Sequence, residues 1–204
     1  FYNESESSSV MPTAVVLGTG IVPDVRKAVT SDLKGEGHAI YLVGRTGPEM
    51  GGSAYHRLTG ATSPSVPDTD LEVLKSCIGS LLSAMAEDLV LSCHDISDGG
   101  LAVAIAEMCV GGQMGTELDL VPADGLGTEA LLFSESNTRW LAEIDPGNTK
   151  RFGELLGPMA VRIGETGGTE LTITAGEEIL LSKTVAEMEA AWRGTLWRRM
   201  GGSE

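Results

Sequence analysis

The residues best suited to chemistry are concentrated in one seven-residue stretch of the chain. They supply an imidazole, two carboxylates, a hydroxyl and a pair of glycines, and they are His94, Asp95, Ser97, Asp98, Gly99 and Gly100. The apolar residues 89–93 predict a buried strand before them, and apolar side chains at helical spacing predict a helix from about Leu101. A polar turn between a strand and the unpaired N–H groups of a helix start can hold an anion.

A second interpretation of this turn is purely structural. Ser97 and Asp98 are preferred N-cap residues, so either side chain could simply cap the helix that follows. The turn is neither a Walker loop nor the G-x-G-x-x-G of dinucleotide-binding proteins, because the lysine and the glycine spacing that they need are absent. These residues alone leave both the ligand-binding and the capping interpretation open.

A second polar cluster follows a short apolar segment later in the chain. Residues 130–133 predict a strand, and they run directly into Ser134, Glu135 and Ser136. Neither polar cluster contains a Lys or an Arg. Because phosphoryl transfer depends on positioned positive charge, we expect these residues alone to be poorly equipped for it.

The segment 44–60 is too rich in glycine for a regular element, so it predicts a structured loop. Within this loop, Glu49 and Ser53 could face a ligand, and a glycine-rich surface turn is the equally weighted alternative. His56 lies between Tyr55 and Arg57, a setting that is more typical of a packed or solvated histidine than of a catalytic base.

The composition excludes several classes of protein. With a formal net charge of −15 and a pI near 4.5, the chain lacks the clustered basic residues that nucleic-acid and anionic-membrane surfaces require. No apolar run approaches the roughly 20 residues that cross a bilayer. Three cysteines without a C-x-x-C pattern predict no zinc site and fit a reducing, cytoplasmic compartment.

Hydrophobic periodicity predicts the remaining elements. Strands are expected at residues 13–17, 39–43, 117–121, 140–144 and 160–163, and a hairpin at residues 170–181 that turns near Ala175 and Gly176. Helices are expected at residues 70–87, 99–112, 148–156 and 185–201, with a short helical or looping segment at 24–30. The polar residues 1–9 predict a loop or a frayed tail.

The mixture of α–β and β–β connections predicts an α+β fold, and it fits neither an all-parallel doubly wound sheet nor a repeat array. The apolar stripes of the helices that start near Asp70 and Gly99 should cover one mixed sheet. Helices lie on both faces if the C-terminal helix packs opposite, which gives a three-layer α/β/α arrangement. The glycine-interrupted segment 34–37 predicts a domain boundary.

Several segments, taken in order, resemble one family. The motif from His94 to Leu101 is similar to that of the C-terminal domain shared by aminoimidazole-ribonucleotide synthetases and phosphoribosylformylglycinamidine synthases. The synthases are the closer match, because residues 1–4, 21–30, 40–44, 50–55 and 133–136 follow their order. The resemblance covers nearly the whole chain.

The resemblance implies an ATP-dependent ligase of purine synthesis. In this reaction, phosphoryl transfer activates the amide oxygen of formylglycinamide ribonucleotide, and ammonia then displaces phosphate. ATP and magnesium are the implied cofactors; the rest of the synthetase chain, a glutaminase subunit and a small accessory subunit are the implied partners. Residues 1–36 would be the tail of an ATP-binding N-domain, and residues 37–204 a C-terminal domain like that of aminoimidazole-ribonucleotide synthetase, partly ferredoxin-like.

Two departures limit what the resemblance assigns. Ala54 stands where the family usually has Glu after Gly-Gly-Ser. The family's Gly-Asn-x-Ser, which contacts magnesium, nucleotide and substrate, lies before the segment that matches Phe1. The family's synthetase subunit has two tandem pairs of an N-domain and a C-domain, and the first pair supplies the catalytic histidine. The resemblance therefore assigns no catalytic residue here, gives His94 no such role, and implies that the chain is inactive alone.

The residues and the family resemblance together leave two functional classes. In the first, the chain supplies part of a ligand site, where the Gly99-Gly100 helix start takes phosphate and Glu135 or Asp98 arranges hydroxyls or a metal. In the second, which we favour, it is a structural, pseudo-catalytic half that holds a nucleotide without turnover. A C-domain of another ATP-dependent enzyme of the same superfamily is a further alternative. Metal ligands are left unassigned.

Overall fold

The computed structural model describes residues 14–120 and 125–201. The strands in these ranges are β1 (Ala39–Val43), β2 (Val90–Asp95), β3 (Thr116–Asp119), β4 (Trp140–Ile144), β5 (Ala160–Thr166), β6 (Glu170–Ala175) and β7 (Glu178–Thr184). The helices are α1 (Ala54–Thr59), α2 (Leu71–Ala86), α3 (Gly100–Gly112), α4 (Thr128–Phe133), α5 (Thr149–Leu156) and α6 (Val185–Arg199). None of these helices is long and apolar enough to span a membrane.

The strands form one mixed sheet in the order β2-β4-β1-β5-β3-β6-β7. Strands β3 and β6 pair in parallel, and the other neighbours pair antiparallel. Four of the seven strands, in the order β2-β4-β1-β5, come from a β1-α2-β2-β4-α5-β5 succession, into which α1, α3, β3 and α4 are inserted. That succession is the ferredoxin-like motif. The expected α+β fold with partly ferredoxin-like topology is therefore confirmed.

Helices cover both faces of the sheet and make three layers. On one face, α2 and α5 pack together around a core that includes Leu81 and Phe152. On the other face, α3, α4 and α6 enclose a larger core that includes Ile105 and Val185. The three-layer expectation is confirmed, but the C-terminal helix is not the opposite layer. It packs beside α3, and α2 with α5 supplies the second face.

Most predicted elements are present with small shifts at their ends, where assignments commonly differ by a residue or two. The hairpin turns after Ala175, as its pattern predicts, and Thr184 caps α6 through a complete capping box with Glu187. The strand that precedes the polar turn extends further than its apolar run, since β2 includes His94 and Asp95.

The strand predicted at residues 130–133 is wrong, because these residues form most of α4. The N–H of Leu131 donates to the carbonyl of Gly127 at 3.1 Å and closes a helical turn. Ala130, Leu131 and Leu132 are all buried, and α4 packs on α3. A short apolar run is compatible with either a buried strand or a buried helix, so periodicity could not separate them.

Two further expectations change in the first 60 residues. The segment 44–60 is not loop throughout, because Ser53 caps a short helix, α1, by accepting from the N–H of His56 at 3.2 Å. The strand predicted at residues 13–17 is wrong for 14–17, which form no strand. Thr13, Val121 and the predicted tail 1–9, together with the family-like segment 1–4, lie outside the described residues.

Residues 14–29 precede the sheet and expose most of their apolar side chains. Val15, Val16, Leu17 and Ile21 are each at least 88% exposed. A short 3-10 turn at Val25–Lys27 confirms the helical or looping segment predicted there. These four large apolar side chains are in contact with water. This segment therefore lacks the stabilisation that burial gives to the rest of the chain.

Candidate functional site

His94 lies at the end of β2, held between acceptors of the chain itself. Its Nε2 is 3.0 Å from a carboxylate oxygen of Glu107 on α3, and its Nδ1 is 2.6 Å from the carbonyl oxygen of Asp95. The Asp95 carboxylate, whose side chain is 69% exposed, lies 3.6 Å from the same Nδ1. Both ring nitrogens thus have internal partners, and Asp95 keeps a carboxylate open to solvent.

The turn after β2 carries Ser97 and Asp98 outward, where both are exposed. Neither caps α3: the helix follows Gly99, which has a left-handed φ of 81°, and no side chain of the turn bonds to its first N–H groups. The capping interpretation of Ser97 and Asp98 is therefore wrong. The turn is closed instead by the backbone, since the Gly100 N–H donates to the Ser97 carbonyl at 3.0 Å.

Gly100 lies against the second polar cluster, where a side chain has no room. A Cβ on Gly100 would lie 2.7 Å from Cα of Phe133 and 2.7 Å from the carbonyl oxygen of Ser134. Its φ of +70° also favours glycine. The absence of a side chain at Gly100 therefore brings the two polar clusters into contact, rather than opening the helix start to a ligand.

Glu135 joins the polar turn to the glycine-rich loop. Its Oε1 accepts from the N–H of Gly99 at 2.9 Å and from the N–H of Ala54, the first residue of α1, at 2.8 Å. Its own N–H donates to the carbonyl of Glu49 at 3.2 Å. A carboxylate near the start of a helix is electrostatically favourable. Glu135 thus occupies the place beside Gly99 that an external anion would take.

Ser134 and Ser136 are buried beneath this contact. Their hydroxyl oxygens lie 2.7 Å apart, and the N–H of Gly47 donates to the Ser136 hydroxyl at 2.9 Å. The Ser136 hydroxyl also donates to a carboxylate oxygen of Glu49. The hydroxyl groups of both serines have hydrogen-bond partners within the chain. They therefore hold the segment that follows α4 against the glycine-rich loop.

Arg139 is a central residue of this cluster that the sequence did not single out. Its side chain is buried, and it donates to the carbonyls of Ser136 at 2.9 Å and Ser134 at 2.5 Å and to the Thr46 hydroxyl at 3.0 Å. Burial lowers the pKa of the guanidinium to about 10, while the nearby charge of Glu49 opposes that shift. Although neither polar cluster contains a Lys or an Arg in sequence, the structure places the Arg139 guanidinium beside Ser134 and Ser136. The expectation that the clusters lack positive charge is corrected accordingly.

The signal for Arg139 was weak because one Arg before a strand is ordinary in sequence. Its five donors become significant only when a loop turns back over them and presents carbonyl oxygens. The guanidinium is directed at the chain's own backbone, so its charge organises the loop and is shielded from solvent.

An open groove lies beside these clusters, between α3 and α6. It has a volume of about 870 Å³, and His94 and Phe133 contribute to one part of its lining. Its walls are mainly apolar, with Val103, Val110 and Trp192 among them. The lining also includes polar and charged side chains, among them Glu107, Lys183 and Arg193.

The cluster lacks an evident metal centre. Within residues 14–120 and 125–201, no group of three or more His, Cys, Asp or Glu side chains is arranged to hold a metal ion. The carboxylates that stay open to solvent are Asp95 and Asp98, on the turn after β2. These two are the residues best placed to reach a cation or hydroxyl supplied by another part of a larger protein.

A family profile described as AIR synthase related protein, C-terminal domain, matches residues 35–176. The chain belongs to this family. The match runs from just before β1 to the end of β6 and includes every candidate site residue, so the family expected from the motifs is confirmed.

Curated proteins that are similar to this chain include synthase subunits. Phosphoribosylformylglycinamidine synthase subunit PurL of Thermoplasma acidophilum is 34% identical over 199 residues, which cover 97% of this chain and 26% of that protein. The same subunit of Moorella thermoacetica is 36% identical over 200 residues, covering 96% of this chain and 27% of that protein. The chain therefore spans about a quarter of the length of the curated relatives it matches.

Solved structures share the fold. T. maritima PurL complexed with FGAR superimposes with a TM-score of 0.71 at 23% identity, covering 80% of this chain and 30% of that chain. T. maritima PurL complexed with ATP gives a TM-score of 0.64 at 18% identity, covering 80% and 27%. At these identities the comparison establishes the architecture of the family domain.

Proposed function

We propose that this chain is the C-terminal part of a phosphoribosylformylglycinamidine synthase. The intact enzyme would convert formylglycinamide ribonucleotide to the formylglycinamidine ribonucleotide with ATP and ammonia. The observation that carries the proposal is the 34% identity to the Thermoplasma acidophilum subunit over 97% of this chain. Relatives of this kind favour the synthase over another ATP-dependent enzyme of the same superfamily.

We also propose that residues 1–36 belong to the tail of a preceding N-domain and residues 37–204 to the C-terminal domain. The exposure of the apolar residues in 15–21 supports this division, whereas residues 30–36 pack on the sheet, with Leu33 in its core. The large apolar side chains at Val15, Val16, Leu17 and Ile21 are almost fully exposed, although transfer from water would favour their burial. A preceding domain would cover them. The family match also begins at residue 35, close to the proposed boundary.

Within the enzyme, the role that the geometry favours is structural and pseudo-catalytic. Glu135 takes the N–H of Gly99, and Gly100 contacts the backbone of Phe133. The helix start that could have held phosphate is therefore closed by the chain itself. Ser134 and Ser136 are buried and bonded internally, which leaves them no free hydroxyl for a substrate.

The ligand-contributing role stays as the second candidate because of the turn itself. Asp95 and Asp98 are exposed beside His94, and Ser97 adds a hydroxyl. If the preceding domain brings a nucleotide with magnesium to this edge, these side chains can complete the coordination of the cation or bind a hydroxyl. If the chain contributes to the ligand site, Asp98 contacts the cation. If its role is structural, Asp98 contacts no ligand.

The same proposal includes the cofactors, partners and location of the enzyme. ATP and magnesium would act in the intact protein, with the rest of the synthetase chain, a glutaminase subunit and a small accessory subunit as partners. Among solved relatives, one is described as a structure of PurLQS from Thermotoga maritima, which supports an assembly of subunits. The three free cysteines support a reducing, cytoplasmic location.

The purified 204-residue chain gives the first test. With ATP, magnesium, ammonia and formylglycinamide ribonucleotide, we expect no phosphate release above a heat-killed control, since the proposed catalytic parts precede it. Turnover by this chain alone would contradict the assignment of a pseudo-catalytic part. In the intact enzyme, Asp98→Ser separates the two roles: unchanged nucleotide content favours the structural one, and loss of magnesium-dependent nucleotide favours ligand contribution.

A further inference from the structure

Glu143 is a fully buried carboxylate, on a strand next to the edge strand β2, that the proposed chemistry does not use. It lies on β4 and is surrounded by donors. Its oxygens accept from the Ser92 hydroxyl at 2.7 Å and from the N–H groups of Lys34 at 3.0 Å and Gly35 at 3.2 Å. Nδ1 of His38 lies 2.7 Å from Oε1.

Three of these four partners belong to residues 34–38, the segment that leads into β1. An ionised carboxylate only accepts, so the contact with ionised Glu143 requires the His38 tautomer that has its proton on Nδ1. A buried carboxylate is costly unless donors surround it, so the sheet can hold Glu143 only while the segment stays in place. The segment and the carboxylate thus stabilise each other.

The longer stretch 30–38, which contains this segment, is bonded to three other elements. The Cys93 N–H donates to the Thr30 carbonyl at 3.1 Å, the Leu33 N–H to the Met108 carbonyl at 3.3 Å, and the Gly37 N–H to the Thr166 carbonyl at 2.8 Å. These contacts reach β2, α3 and β5. The one to β2 ends at Cys93, directly before His94 and the polar turn.

Helix α3 makes room for this segment with a glycine. A Cβ on Gly112 would lie 2.6 Å from the carbonyl oxygen of Leu33 and 2.8 Å from its N. Such an approach is possible only without a side chain. The end of α3 is therefore shaped to let residues 32–33 pass against it.

We propose that Glu143 is a positioning residue that clamps residues 30–38 into a rigid connector. This rests on the proposed function, in which a domain precedes the connector. Glu143 then fixes the orientation of the preceding domain relative to β2 and the polar turn that follows it. The connection between the two domains is a fixed strut and not a hinge.

Amide hydrogen exchange of the 204-residue chain tests the clamp without any need for activity. In the unmodified protein, the amides of Lys34 and Gly35 should be as slow to exchange as the amides of β4. Glu143→Gln keeps the size of the side chain but replaces one acceptor by a donor, so at least one surrounding donor loses its partner. Exchange at residues 33–38 should then rise by about tenfold or more.

The matched control is Glu165→Gln on β5, which β1 separates from β4 in the sheet. The Glu165 carboxylate is 55% exposed and pairs with Arg162. This variant should leave the connector unchanged. A clamp predicts faster exchange confined to residues 33–38 in Glu143→Gln, with α5 unaffected. Uniformly faster exchange, which marks general destabilisation, would overturn the proposal. So would fast exchange of Lys34 and Gly35 in the unmodified chain, a result that stands even if the variant does not fold.

A clamp that fails this test leaves the ligase proposal intact, because exchange reports on the connector and not on substrate chemistry. Conversely, an active-site result on the intact enzyme says nothing of the connector. The two proposals can therefore fail separately.

Discussion

Replacing Gly100 by alanine tests whether this glycine is required by contact between the two polar clusters. Gly52 is the matched control, because its φ of +76° is similar but no heavy atom lies within 4 Å of the Cβ that alanine would add. Gly100 has a φ of +70°, and its Cβ would lie 2.7 Å from backbone atoms of Phe133 and Ser134. The two variants share the conformational cost and differ in the contact.

The magnitudes follow from these two costs. A left-handed alanine costs about 1–2 kcal/mol, offset in part by about 0.4–1 kcal/mol of entropy that the unfolded chain loses. We therefore expect Gly52→Ala to lose about 1 kcal/mol. Gly100→Ala adds overlap with backbone, which costs about 1–3 kcal/mol where side chains are overpacked, so its loss should be about 2–4 kcal/mol.

Urea unfolding of both variants measures the difference, and thermal melts give a second reading. A gap of about 2 kcal/mol should appear as a melting temperature roughly 4–8 °C lower for Gly100→Ala than for Gly52→Ala. Equal losses in the two variants would refute the contact. That result would return Gly100 to the role expected from its sequence context, an open approach to the helix start.

Two other predictions concern groups described above. Glu135→Ala leaves the N–H groups of Gly99 and Ala54 without their acceptor, so urea unfolding should show a loss of about 2–3 kcal/mol in the free energy of unfolding. Glu135→Gln should lose less than about 1 kcal/mol. Two variants as stable as the parent would contradict this expectation. Burial raises the pKa of the Cys93 thiol from 9.0 to about 12, so the folded chain keeps a proton that the unfolded chain loses. Stability should therefore fall as the pH rises from about 9 to about 12. Cys93→Ala should flatten that slope, and an unchanged slope would count against the burial of this thiol.

Where periodicity and local chemistry agree, the sequence predicts the fold well. Helix α2 lies where its apolar periodicity predicts, and its N-cap Asp70 accepts from two backbone N–H groups. Its buried face is Cys77, Leu81 and Ala84, whereas Leu71 and Leu82 are exposed. The hairpin β6–β7 has alternating residues and a glycine turn. In these elements the information lies within a few neighbouring residues.

The errors arise where distant residues decide the outcome. The segment 130–133 is helical because α3 buries it, and no local pattern records that contact. The polar turn was expected to cap itself through Ser97 or Asp98, but Glu135, 36 residues away from Gly99, takes the N–H. Arg139 and Glu143 matter because strands that are far apart in sequence bring donors and acceptors around them.

The sequence predicted two polar clusters, and the structure brings them into contact, but the sequence could not indicate how they meet. Contact requires the absent side chain of Gly100, the carboxylate of Glu135 and the buried Arg139 together. Each is unremarkable alone in the sequence. Whether these residues also touch a ligand stays a prediction.

The central claim is tested most directly by the product that the intact polypeptide containing this chain makes. With saturating formylglycinamide ribonucleotide, ammonia and magnesium-ATP, mass spectrometry should detect formylglycinamidine ribonucleotide, and one phosphate should be released for each molecule formed. The same polypeptide truncated after residue 36, so that residues 37–204 are removed, should form no amidine product. A folded, intact polypeptide that forms no amidine product under these conditions, or a truncated one that forms as much, would contradict the account.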